Sequence, residues 1–146
     1  MREVLTRIIP LLLIFVFGSL AFSFVPRQGS ISKPGWTIKV LTGYDHKPEQ
    51  GVDSQPGTIA KENGLTISYD IGGFAGEKVI SSEKENLLWY KEQTLNKQLV
   101  RIAFTKKREL VATFPASAAN FWCQINSEED FAEALLIILS YQASGE

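Results

Sequence analysis

Between Asn86 and Ile125 the chain repeats one pattern, and that pattern limits the fold more than any other feature. Four stretches rich in aromatic and branched residues, NLLWYKEQT, QLVRIAFT, ELVATFP and NFWCQI, are separated by links of a few residues. The links carry turn formers: Leu95-Asn96-Lys97, then Lys106-Lys107-Arg108, and Pro115 closes the third stretch. Strands joined by so little chain pair as antiparallel neighbours, because a parallel crossover needs a dozen residues or more. A meander is therefore expected here.

The same reading extends upstream. In WTIKVLT, Trp36, Ile38 and Val40 fall on one face, as in a strand. TIAKENGLTISYDIGG reads as two strands around a Glu62-Asn63-Gly64 turn, with Leu65, Ile67, Tyr69 and Ile71 on one face. Thr66, Ser68 and Asp70 then make a wet face. Gly43 to Gly57 is polar and rich in turn residues, and reads as a long connection. At the C-terminus, NSEEDFAEALLIILSYQ has Asn126 or Ser127 as N-cap. Glu129 or Asp130 stands three residues on, a capping-box spacing. Ala134 to Leu139 is apolar all round, so this helix should be largely covered. The expected class is α+β: an antiparallel β-meander sheet of five or six strands, with one C-terminal helix on a face.

The N-terminus bears on where the chain works. Arg2 and Arg7 precede the apolar run Ile8–Phe17, and Ser19-Leu20-Ala21 follows. This is the order of a secretory signal, with cleavage after Ala21 or Ser23. Alternatively, the 18 uncharged residues Ile8–Val25 serve as an uncleaved anchor, just short of the about 20 residues a spanning helix needs. Either way the rest of the chain is expected outside the cytoplasm, secreted, periplasmic or membrane-anchored. No cysteine follows the run to receive lipid. The expected divisions are a signal peptide or signal anchor over 1–23, a linker or extended lead-in over 24–35, one domain over 36–142 and a frayed tail over 143–146.

The formal net charge is −1, which gives no footprint for nucleic acid. Lys106-Lys107-Arg108, followed at once by Glu109, reads as a solvated turn. The lone Cys123 sits among large apolar residues and reads as a core thiol. As a nucleophile it would need His46, the one histidine, as its base. A Ser-His-Asp site would need His46 with Ser54, Ser68 or Ser81, and no nucleophile-elbow motif occurs. Tyr44-Asp45-His46 with Asp53 is a thin ligand set, so neither metal nor cofactor is expected. Asp70 with Glu77 or Glu92 could form an acid–base pair only if folding brought them together. Gly72, Gly73 and Gly76 after a strand resemble a phosphate loop only loosely. The spacing is wrong for Gly-x-Gly-x-x-Gly, and no Lys-Ser/Thr pair follows. A bend or mobile loop is the simpler reading.

What remains is a density of aromatics. Trp89 and Tyr90 are adjacent in a strand, as are Phe121 and Trp122, so each pair points to opposite faces. One helix covers one face, which leaves aromatic surface for a partner. The candidate binding residues are thus Trp89, Tyr90, Trp122, Asp70, Gly72 and Gly73. The sequence favours a non-enzymatic exported domain that binds a protein or envelope component. The alternatives are a small hydrolase using Asp70, His46 or Cys123, and a carrier holding an apolar ligand or lipid between sheet and helix.

Overall fold

The computed structural model describes residues 28–73 and 86–144. The N-terminal signal or anchor segment, and Gly76, Glu77 and Ser81, lie outside the described residues. Ten strands form two antiparallel sheets. Three make a small sheet: β1 (Gln28–Lys33), β2 (Trp36–Leu41) and β10 (Gln142–Ala143), in the order β1-β2-β10. The large sheet holds β3 (Tyr44–Pro48), β4 (Gln55–Lys61), β5 (Thr66–Ile71), β6 (Leu87–Leu95), β7 (Gln98–Thr105), β8 (Glu109–Phe114) and β9 (Ala119–Gln124). Its order, β3-β4-β5-β9-β8-β7-β6, joins two meanders edge to edge through β5 and β9. The helix α1 (Glu128–Ile138) and the small sheet lie on one face of the large one.

The strand count exceeds the five or six expected. β3 and the first residues of β4 fall in the stretch read as a long loop, and the rest of β4 is the short strand expected before the Glu62-Asn63-Gly64 turn. That stretch is polar because β3 is an edge strand with three exposed residues. Gly57 looks like a turn former but sits inside β4 opposite Tyr69. A Cβ there would lie 2.4 Å from the Tyr69 hydroxyl and 2.8 Å from the Lys47 carbonyl. Glycine is needed so that the tyrosine can lie across the strand. β1 falls in the lead-in and pairs along the whole of β2.

The turns follow local chemistry. Asn96 and Lys97 both take positive φ, 50° and 65°, the two-residue turn that matches strand twist. At α1 the choice of cap falls on Ser127: the Asp130 N–H donates to Ser127 Oγ at 3.0 Å. In return the Asp130 carboxylate accepts from the Ser127 N–H at 3.1 Å. It also accepts from the Asn126 N–H at 3.0 Å.

Between the layers lies an aromatic core. Trp36 meets Tyr69 edge-on at 5.5 Å, and Tyr141 packs against Phe114 at 4.7 Å and Phe121 at 5.3 Å. Trp36, Tyr69, Phe114, Phe121 and Tyr141 are all fully buried. The Trp36 indole N–H finds its acceptor in Gln55 Oε1 at 2.9 Å. Ala134, Ile137 and Ile138 are the buried stripe of α1. Leu136 is 58% exposed, so the helix is not covered all round as expected. On the other face of the large sheet Thr66 is exposed and Ser68 and Asp70 are half-buried, but the neighbouring strands are less open. Ala103, Val111, Thr113 and Asn120 are buried there, with the Thr113 hydroxyl donating to Asn120 Oδ1 at 2.8 Å. Among the described residues no helix is long and apolar enough to cross a membrane.

Candidate functional site

The two flanks of α1 meet the large sheet by different chemistry. Toward β3 and β4 the contact is polar. Lys61 Nζ lies 3.0 Å from Glu133 and 3.4 Å from Glu129, and the Tyr44 hydroxyl donates to Glu133 at 2.6 Å. Burial, with Glu133 beside it, raises the Tyr44 hydroxyl far above its ordinary range. Glu133 raises Lys61 in turn, which keeps the ammonium charged. Residues 129 and 133 share one side of the helix, and 131 lies roughly opposite.

Toward β6 and β7 the contact is apolar and incomplete. Phe131 meets Phe104 edge-on at 5.4 Å and Trp89 at 6.4 Å. Around these rings opens a groove of about 610 Å³. Leu88, Trp89, Phe104, Ile125 and Phe131 give it an apolar lining, and Arg108, Ser127 and Glu128 stand with them. Its volume falls in the range of about 300–1,000 Å³ usual for small-molecule sites. Trp89 is 36% exposed and Leu88 59%. Leu88 owes its place to an irregularity: the register of β6 on β7 shifts between Leu87 and Trp89. Leu87 therefore packs with Ala103, Val111 and Trp122 on the far face, while Trp89, paired with Phe104, lines the groove. Leu88 is extruded between them.

The other expected binding residues lie elsewhere. Tyr90 and Trp122 share the face opposite the groove, in a row through Ala103 and Val111. Asp70 lies on that same face, beside Asn120. Its Oδ1 is buried without a hydrogen-bond partner. Four strand spacings separate β5 from β6, about 19 Å, so Asp70 and Trp89 belong to no common site. Gly72 and Gly73 follow β5 with φ of 85° and 56°. A Cβ on Gly73 would sit 1.6 Å from the Asp53 carbonyl, so the glycines make a close-packed bend against the residue 53 loop.

The catalytic candidates are scattered. His46, Ile59, Ile67 and Cys123 form one row across β3, β4, β5 and β9. Three strand spacings, about 14 Å, part the imidazole from the thiol. His46 Nε2 instead meets the Tyr69 hydroxyl at 2.6 Å, with the rings stacked. Burial lowers the His46 pKa, and Lys33 adds to this. Burial pushes the Cys123 thiol up to about 12, and Asp130 and Glu109 reinforce the shift, so thiolate is scarce at neutral pH. Glu92 is bound to the Tyr90 hydroxyl and to Arg101 at 3.1 Å, both of which favour its charged form. It stands about 19 Å from Asp70, too far for a carboxylate pair. Among the described residues no group of three or more His, Cys, Asp or Glu is placed to hold a metal ion.

No family model, curated protein or solved structure matches the chain. Of the groove residues, only Trp89 was legible as a binding candidate. Phe104 reads as one more apolar strand residue, and Phe131 as an ordinary helix-face residue. Nothing in the sequence tells where α1 lies over the sheet.

Proposed function

We propose that this chain is an exported, non-enzymatic binding domain that takes an apolar group of an envelope component into the groove between α1 and the β6–β7 end of the sheet. One observation carries the reading: an apolar hollow of about 610 Å³ walled by Leu88, Trp89, Phe104, Ile125 and Phe131. Water held against such walls is released when an apolar group enters, which drives binding at roughly 25 cal/mol per Å² buried. The non-enzymatic part is supported by the separation of His46, Asp70 and Cys123, which share no cleft. Export is supported by the order of Arg2, Arg7, the apolar run and the small residues after it.

The test is a titration with the neutral fluorophore N-phenyl-1-naphthylamine. Saturable binding is expected, weakened by Trp89→Ala and by Phe131→Ala and unchanged by Trp122→Ala. Equal effects of Trp89→Ala and Trp122→Ala, with both proteins folded, would refute the assignment. N-terminal sequencing of the native protein tests export: a start at Phe22 or Phe24, or Met1 in the membrane fraction, agrees with it. A chain starting at Met1 in the cytosol does not.

A further inference from the structure

We infer that the groove is selective for a single acyl chain bearing an anionic head group, of the fatty-acid class, with Arg108 as the head-group contact. The inference rests on the groove reading above and adds to it the chemistry of the occupant.

The lining is mostly apolar, with Arg108 and Glu128 as its two charged residues. Arg108 ends the β7–β8 turn, where its φ of 61° swings the chain back toward β8. Its Nε donates to the Ile125 carbonyl at 2.9 Å, which holds the guanidinium beside a groove residue. One of five donors is used there, and the terminal nitrogens keep the fork geometry that suits a carboxylate. The ion pairs among the described residues are Lys61 with Glu129, Lys61 with Glu133, and Arg101 with Glu92. Arg108 belongs to none of them. Lys106 and Lys107 are exposed in the same turn and add positive potential.

Glu128 also borders the groove, from the helix side. It repels an anion and so directs a negative head toward the turn. An occupant with a long apolar body and one negative end fills the hollow and pairs with Arg108. A neutral apolar molecule leaves Arg108 unused, and a cationic head is repelled by Arg108 together with Lys106 and Lys107. The hollow, about 610 Å³, has the volume of a small-molecule site.

The test compares decanoate, decanol and decyltrimethylammonium by calorimetry, each below its aggregation concentration, on the chain as recovered from its cells without detergent. Decanoate is expected to bind about fivefold tighter than the other two, the value of one partly exposed charge pair. The preference should fade in high salt and vanish in Arg108→Gln while decanol still binds. Within the series hexanoate, octanoate, decanoate, affinity should rise about fourfold per methylene while the groove fills. Equal affinities for the three heads in the unaltered protein would overturn the inference and leave the groove reading standing. So would a preference that survives both salt and Arg108→Gln. Binding to anionic vesicles without binding monomeric decanoate would overturn it in favour of a membrane surface. If none of the three ligands binds, the groove reading fails with it.

Discussion

Two groups of aromatic rings sit on the same face of one sheet, and they differ in what closes over them. Near β5 and β9, Trp36, Tyr69, Phe114, Phe121 and Tyr141 are sealed between the layers. Near β6 and β7, Trp89, Phe104 and Phe131 make similar edge-on contacts, yet Trp89 remains 36% exposed. The rings themselves do not decide the outcome. The small sheet and the buried stripe of α1 lie over the first group, whereas the second meets α1 at its N-terminal end, through Phe131 with Ser127 and Glu128 beside it. Aromatic residues become core or binding surface according to the second layer, and a strand pattern carries no information about that layer.

The comparison can be broken by mutation, and the largest effect is expected in the sealed group. Trp36→Ala should lose about 3–5 kcal/mol of stability, as large buried truncations do. Trp89→Ala should lose about 1 kcal/mol or less. Chemical denaturation of both variants is the check, and equal losses would mean that Trp89 is core. Next comes Gly57→Ala. Its new methyl meets the Tyr69 ring and the Lys47 carbonyl, so the sealed cluster must shift at a cost of about 1–3 kcal/mol. Apolar-probe affinity at the groove should not change.

Ser127→Ala removes the cap of α1 and should cost about 1 kcal/mol. Because Ser127 borders the groove, fraying there should weaken probe binding before it disturbs Trp36. The smallest effect concerns His46. Its folded pKa lies below that of the unfolded chain, so the unfolded state takes up the proton more readily. Its stabilising contribution is present above about pH 6.5 and is lost as pH falls through the lower folded value. His46→Gln should flatten stability against pH in that window, as read from melting midpoints across pH 5 to 7.

The contrast between the two regions also explains what could be read in advance. β6 to β9 were legible because alternation and tight turns are local, and the capping box at α1 was legible for the same reason. β3 and the start of β4 were hidden: an edge strand is polar, and Gly57 answers to Tyr69 on the neighbouring strand, not to any turn. The exposure of Leu136 and the extrusion of Leu88 depend on tertiary placement and on a register shift, and neither leaves a mark in the residue order. The binding candidates were chosen as exposed aromatics, which found Trp89 for a sound reason. The same reading put Tyr90 and Trp122 beside Trp89, because strand alternation does not tell which face of the sheet is covered.

The three tryptophans make a direct test, since one stands in each setting: Trp36 sealed, Trp89 at the groove and Trp122 on the opposite face. The indole N–H signals in a nitrogen-15 correlation spectrum can be followed while decanoate is added. The Trp89 signal should shift progressively to saturation, while Trp36, tied to Gln55, and Trp122 stay in place. Movement of the Trp36 signal together with Trp89, or of Trp122 alone, would contradict the division of one sheet face into a sealed core and an open site.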